Sequence, residues 1–371
     1  MRVQLVDPPA YTPPYDYALA AALVRAGAVV ELSTSRCVYG PAPAAEGFAV
    51  RADFYPRATA GRHGVKTRRA LRLAEHVPGM LRHRRRAPRQ ADVVHYQWLT
   101  LEALDAFLMA RNVPRVFTSH NVLRRGEGRV RERAARLVAA RADALVAHTA
   151  AGAGELVSRF GADPDCVHTI RHGAFDYLTR QPDERPLPAE LAAVEASVVL
   201  CFGVLRPYKG VDVLVEAFEG LEDTELWVVG RPWIDVDPLK RAARRTGATV
   251  RFVERFVPDA ELPAFFRRAD LVVLPYRRID QSGVLYTALA FGKPLVLSDV
   301  GGFSEIGRDH GAARLVPPGN APALREALGE LLTDHEARGR LAERAAAAAA
   351  GPYSWDAIGR RTLAMYENLL R

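Results

Sequence analysis

Short apolar runs alternate with longer amphipathic stretches from one end of this chain to the other. That is the pattern of βαβ units, whose parallel strands are buried on both faces by the helices connecting them. In the first part, the runs at 3–6, 29–33, 93–95, 115–119, 144–147 and 168–170 predict strands. Helices are predicted over 17–26, 101–111 and 130–141, the first closed by Gly27. The stretch 177–196, with Pro182, Pro186 and Pro188 among charges, breaks the pattern and reads as a linker. The alternation then restarts, with strands over 198–203, 225–229, 250–253, 271–275 and 295–298 and helices over 211–218, 237–245, 259–268, 284–291 and 321–334. The alanine run at 345–350 favours helix over disorder, and a last helix is predicted over 355–370. The fold class is therefore α/β, with two doubly wound domains over 1–176 and 197–352.

Composition agrees. With 371 residues, 49% hydrophobic and 25% charged, the chain is long enough for two separate cores and too apolar for a disordered tail. Cys37, Cys166 and Cys201 are scattered, odd in number and lie in or beside apolar runs, so free buried thiols in a reducing compartment are expected and no zinc spacing exists. The first apolar run is too short for a signal peptide, and no uncharged apolar stretch reaches the ~18 residues of a membrane span. The expected location is cytoplasmic.

A formal net charge of +8 turns attention to anionic partners, and it is unevenly spread. Ten Arg or Lys residues and a single acid, Glu75, lie over 62–89. Leu71, Leu73, Val77, Met80 and Leu81 give the segment an apolar stripe, with a break expected at Pro78-Gly79. Three readings stand open: peripheral contact with an anionic membrane at the inner face, reception of an anionic acceptor, or the solvated face of an arginine-rich protein. Nucleic acid is not expected as a partner, because aromatics are not interleaved and no helix-turn-helix, RNA-recognition or zinc-finger pattern accompanies the charges.

Two segments carry the candidate chemistry. In the first, an apolar strand ends at Gly203 and a helix restarts after Gly210, with Arg206 and Lys209 in the turn between. Free backbone N–H groups, a positive helix end and two cations make a phosphate site. In the second, Asp280-Gln281-Ser282-Gly283-Val284 again opens an apolar helix with polar residues and a glycine. Two helix starts converging on one diphosphate point to an enzyme that holds a nucleotide-activated group. Asp235-Val236-Asp237 has the spacing of a metal-holding acidic pair, but it directly precedes a predicted helix and reads as a cap. No metal and no cofactor are expected.

Gly203 to Lys209-Gly210, then Ser282-Gly283 to Gly292-Lys293-Pro294, then Val300-Gly301-Gly302-Phe303-Ser304-Glu305, resemble the GT-B retaining glycosyltransferases of family 4. The resemblance covers nearly the whole chain and is strongest over 197–318. It implies two Rossmann-like domains facing across a cleft, a sugar-nucleotide donor held mainly by the second domain, and a small-molecule or lipid-linked acceptor on the first. It also implies that the last helix, from Trp355 on, packs back onto the first domain. Lys209 matches the lysine that pairs with the diphosphate. The family's arginine falls on Val204, with Arg206 two residues later, and its two glutamates fall on Ile279 and Thr287. Asp280 is then expected to supply the first carboxylate, and Thr287 a hydroxyl to the ribose. Gly203, Arg206, Lys209, Gln281, Ser282, Gly283, Val284, Thr287 and Glu305 make the expected donor set. His120, at a strand end, matches the histidine near the donor sugar, which makes His120, Asp280, Arg206 and Lys209 the expected catalytic set. Tyr11, Thr12, Tyr15, Asp16, His95 and Trp98, at or just past two strand ends, are expected on the acceptor side, with capping of the next helix as the other reading of Asp16. The implied activity is sugar transfer to a hydroxyl. A GT-B relative acting without an acceptor, such as an epimerase or hydrolase, and a non-catalytic basic binding module are the alternatives.

Overall fold

The computed structural model describes residues 1–38, 42–61, 63–122 and 128–371, so Arg62 of the basic segment lies outside the described residues. The chain divides into two compact units, Met1–Gly173 with Trp355–Arg371, and Ala174–Ser354.

The first unit holds a parallel sheet of β1 (Arg2–Asp7), β2 (Val29–Thr34), β3 (Ala49–Ala52), β4 (Val93–Tyr96), β5 (Arg115–Ser119), β6 (Ala144–Ala147) and β7 (Val167–Thr169), in the order β3-β2-β1-β4-β5-β6-β7. Its helices are α1 (Pro13–Arg25), α2 (Val65–Gln90), α3 (Glu102–Leu108), α4 (Arg129–Ala139) and α5 (Ala150–Ser158). Successive side chains of a strand point to opposite faces, and β1 shows it. Val3 and Leu5 pack with Leu19 and Leu23 of α1, whereas Val6 packs with Met80 of α2 and Phe117 of β5.

The second unit repeats the plan with α6 (Ala189–Ala192), α7 (Val211–Ala217), α8 (Asp237–Thr246), α9 (Leu262–Arg268), α10 (Gly283–Ala290), α11 (Gly302–Arg308), α12 (Ala321–Thr333) and α13 (His335–Ala350). Its parallel strands β8 (Ser197–Phe202), β9 (Thr224–Val229), β10 (Thr249–Val253), β11 (Leu271–Leu274), β12 (Leu295–Ser298) and β13 (Arg314–Val316) run in the order β10-β9-β8-β11-β12-β13. Val198 and Leu200 face one core, Val199 and Cys201 the other. The final helix α14 (Trp355–Leu369) belongs to the first unit, where Gly359 meets α1 so closely that a Cβ there would lie 2.6 Å from the Ala22 carbonyl oxygen.

Three expectations change. The stretch 177–196 is no free connector: Leu178 and Leu191 are buried in the second unit's core, with Leu187 packed against it. Pro78 does not break α2, because His76, Met80, His83 and Ala87 are buried on both sides of it and their packing offsets the ~3 kcal/mol that an interior proline costs. The apolar stripe of α2 is also not available to a bilayer, since Leu71, Val77, Met80 and Leu81 pack on the first unit's core and only Leu73 is exposed.

Candidate functional site

In an open parallel sheet, ligands bind beyond the carboxyl ends of the strands where the strand order reverses, because the connections there leave to opposite faces. In the second unit that point lies between β8 and β11. Gly210 stands at φ +65°, and a Cβ on it would lie 2.1 Å from the Pro275 carbonyl oxygen, so only glycine lets the loops after these strands meet. Lys209 is 6% exposed, and its ammonium sits 5.1 Å from the centre of the Tyr276 ring. A Cβ on Gly203 would lie 2.8 Å from Lys209 Nζ and 3.0 Å from Val284 Cγ2. The lysine and the first turn of α10 therefore meet over the same glycine, and the Ser282 side chain makes no capping bond to that turn. Gly301, at φ +49°, brings in the third segment: a Cβ there would lie 1.8 Å from the Ile279 carbonyl oxygen, and Gly302 N donates to Asp280 O at 3.0 Å. Asp280, Gln281 and the first turn of α11 with Glu305 thus lie together.

Other members of the donor set are placed as follows. Arg206 lies with its guanidinium 4.1 Å from the centre of the Trp233 ring. Thr287 is 5% exposed and donates its hydroxyl to Gly283 O at 3.0 Å, which leaves oxygen lone pairs and no proton for a ligand. Asp235 accepts from Asp237 N at 3.0 Å in the turn that starts α8. Tyr276 and Arg277 were missed in the sequence. Arg277 donates to Pro207 O at 3.0 Å and pairs with Asp212, which pins the Lys209 turn. Their place just after β11 is the signal that was there to use.

In the first unit the order reverses between β1 and β4. The loop after β1 carries Tyr11, 71% exposed, and Thr12; the loop after β4 carries Trp98. Trp98 Nε1 donates to Thr12 Oγ1 at 2.8 Å, Tyr11 packs on its ring at 4.8 Å between centres, and its other neighbour is His120, stacked at 4.8 Å and 9°. His120 follows β5 and is 6% exposed. Tyr15, Asp16 and His95 lie deeper. Tyr15 is buried among His120, His148, His172 and Trp355. His95 is 1% exposed with both ring nitrogens engaged, to Tyr366 Oη at 2.5 Å and Thr118 Oγ1 at 2.6 Å, so it braces α14 against the sheet rather than facing a ligand. Asp16 does not cap α1; it is buried against Asp7, whose Oδ2 accepts from Tyr11 N at 2.6 Å. Burial first, and Asp7 second, hold the Asp16 carboxyl well above the usual range, so the pair shares a proton.

Burial also holds His83 and His148 down at about 4 and His95 and His172 at about 3, against an ordinary 6.5, with His120 well below that value. The unfolded chain takes up protons on these rings below pH 6.5 while the folded unit does not, so their contribution is whole above 6.5 and is lost as pH falls toward 4. The Asp7–Asp16 pair has the opposite sign, but holds one proton against five rings. Urea denaturation at pH 7.5, 6 and 5 is expected to give a first-unit stability that falls steadily toward acid; a flat profile would count against neutral buried rings.

Comparison with known proteins decides the family. Residues 15–174 match the model of Glycosyltransferase Family 4, and residues 196–334 that of Glycosyl transferases group 1. D-inositol 3-phosphate glycosyltransferase 1 of Catenulispora acidiphila is 32% identical, over 80% of this chain and 76% of that protein. The chain belongs to glycosyltransferase family 4. A second relative of this family 4 enzyme, D-inositol 3-phosphate glycosyltransferase of Jonesia denitrificans, is 30% identical over 95% of this chain and 90% of its own. Among solved structures, Anabaena Alr3699/HepE in complex with UDP superposes with a TM-score of 0.74 at 19% identity, covering 99% of this chain and 100% of that one. Sucrose-phosphate synthase of Thermosynechococcus elongatus gives 0.74 at 17%, over 100% and 99%. The fold is GT-B, and the chain is an EC 2.4 transferase; the epimerase and non-catalytic readings are not favoured. Among the described residues, no helix is long and apolar enough to cross a membrane.

Proposed function

We propose that this enzyme moves a sugar from a nucleoside diphosphate to an acceptor hydroxyl, with retention of anomeric configuration and without a metal. The observation that carries the reading is the meeting of Lys209, Gly203 and the first turn of α10 at the switch point of the second sheet. As the anomeric bond breaks, negative charge grows on the leaving diphosphate, and a buried ammonium with aligned backbone N–H groups stabilises it without reorganising. Arg206 adds a second cation on the same loop. Asp280, Gln281, Thr287 and Glu305 take the sugar and ribose. On the first unit, Tyr11, Thr12 and Trp98 form the rim that receives the acceptor, with His120 behind them. Family membership supports retention.

The UDP in the HepE complex supports a UDP-sugar as the donor, and the relatives' names support a phosphorylated cyclitol as the acceptor. A thermal-shift panel of UDP-, GDP- and dTDP-sugars tests the donor site, since a ligand at 100 times its Kd adds about 2.7 kcal/mol of stability. A panel with no shift, together with no nucleotide release, overturns the reading. Activity is expected to survive EDTA, because protein groups neutralise the leaving diphosphate; loss on chelation, restored by Mg²⁺, would return Asp235 and Asp237 to consideration.

The exposed basic row of α2 is proposed to touch an anionic membrane surface by charge alone. Arg82, Arg85, Arg86 and Arg89 are exposed, and each well-placed cation contributes on the order of 1 kcal/mol at such a surface. Sedimentation with phosphatidylserine vesicles at low salt is expected to pull down the enzyme, and the variant with all four changed to Ser is expected to stay in solution. Equal behaviour of the two leaves a solvated face.

A further inference from the structure

Each of β4 to β7 brings a histidine to one place: His95 lies within β4, His120 and His148 follow β5 and β6, and His172 lies beyond β7. The hydrogen bonds among them fix where the protons are. His148 Nδ1 lies 2.9 Å from the Ile170 carbonyl oxygen, which can only accept, so Nδ1 carries the proton. With the ring neutral, His148 Nε2 is a lone pair, and it lies 3.1 Å from His120 Nδ1, which must therefore be the donor. A neutral His120 then has its own lone pair on Nε2, and the atom placed 3.2 Å from it is the Gln97 side-chain oxygen, Oε1. Two lone pairs cannot bond, so the amide turns its NH₂ to the ring; the same turn satisfies the buried Gln97 nitrogen that otherwise has no partner.

We propose that His148 is a positioning residue that holds His120 in the Nδ1–H form and makes its Nε2 a hydrogen-bond acceptor. The chain Ile170 O, His148, His120, Gln97 runs in one direction, and Trp98 stacked on the His120 face keeps the ring from turning out of it. Burial that keeps both rings neutral maintains the pattern. Nε2 takes a group that donates: the Gln97 amide in the resting site and a sugar hydroxyl in its place when substrate is bound. That last step rests on the proposed function, in which His120 backs the acceptor rim, and on its match to the family's histidine near the donor sugar; the tautomer does not.

The full chain with ¹⁵N-labelled histidine gives the direct test by ring ¹H–¹⁵N correlation at pH 7.5, with His120 assigned through His120→Gln. His120 is expected with a protonated Nδ1 and an unprotonated Nε2, the reverse of the form that free histidine favours. A protonated Nε2 in the unaltered protein overturns the proposal without any variant having to fold. With UDP-glucose as the probe and UDP release as the readout, His148→Phe is expected to lower kcat about 10- to 100-fold while the donor KM stays within about twofold. His148→Gln, whose side-chain oxygen accepts where Nε2 did, is expected to recover kcat to within about threefold of the unaltered enzyme. Equal losses in the two variants overturn the positioning role. Full turnover by His120→Ala removes His120 from the reaction and leaves the tautomer result standing.

Discussion

Replacing Lys209 with Ala is expected to lower kcat/KM for the donor about 100-fold or more, the ~3 kcal/mol typical of one preorganised donor to a developing charge. The ammonium is held against Tyr276 and under the Gly203 turn, so water contributes little to it and its field falls on whatever occupies the start of α10. Steady-state UDP release with UDP-glucose, alongside the melting temperature, separates lost chemistry from lost fold. Unchanged kinetics in a folded variant would take the diphosphate away from Lys209. Arg206→Ala is expected to have a smaller effect, because that guanidinium is shared with the exposed Trp233 ring.

Gly301→Ala is expected to destabilise the second unit by about 3 kcal/mol or more and to abolish the donor-induced thermal shift. Two costs add at one position. The backbone at φ +49° and ψ −136° is one that only glycine adopts readily, and the new methyl would sit 1.8 Å from the Ile279 carbonyl oxygen, a backbone atom that cannot move aside without carrying Asp280 with it. Gly319→Ala is the control: φ is +73° but nothing lies within 4 Å of the added carbon, so about 1 kcal/mol is expected. Denaturant unfolding of both variants measures the difference, and a Gly301→Ala loss no larger than the control would mean that the loop at 279–282 is not held as described.

How much of this was legible in the chain depended on whether the signal was local. The buried central strands were, since Leu200-Cys201-Phe202 and Leu271-Val272-Val273 are apolar on both faces and admit little else. β3 was not, because Ala49–Ala52 is a largely exposed edge with no apolar run, and β13 is three residues long. α5 starts with small residues and glycines, Ala150-Ala-Gly-Ala-Gly, whose helix follows from the Thr149 cap rather than from periodicity. The glycine-bearing turns at Gly203, Gly210 and Gly301 of the second unit could be read because tight turns demand particular residues. Tyr11 and Thr12 do lie in the loop after β1, but Tyr15 and Asp16 belong to the first turn of α1 and are buried there, a depth set by the sheet and by α14 and carried by no local signal. His148 and His172 had no local mark at all; each is a lone histidine until parallel strands bring their ends together.

The covalent path has a consequence for how the molecule is made. The first unit is discontinuous: its sheet is complete in sequence by Gly173, but α14, which supplies Trp355 beside Tyr15 and Tyr366 on His95, emerges only after the whole second unit. The second unit is one uninterrupted stretch of chain, whereas the first keeps α1 bare, and Tyr15 and His95 without their Trp355 and Tyr366 partners, until α14 is made. The earlier-made half is the later-finished one. Any species cut short of α14 is thus an unfinished first unit tethered to a complete second one, with apolar surface of α1 left uncovered.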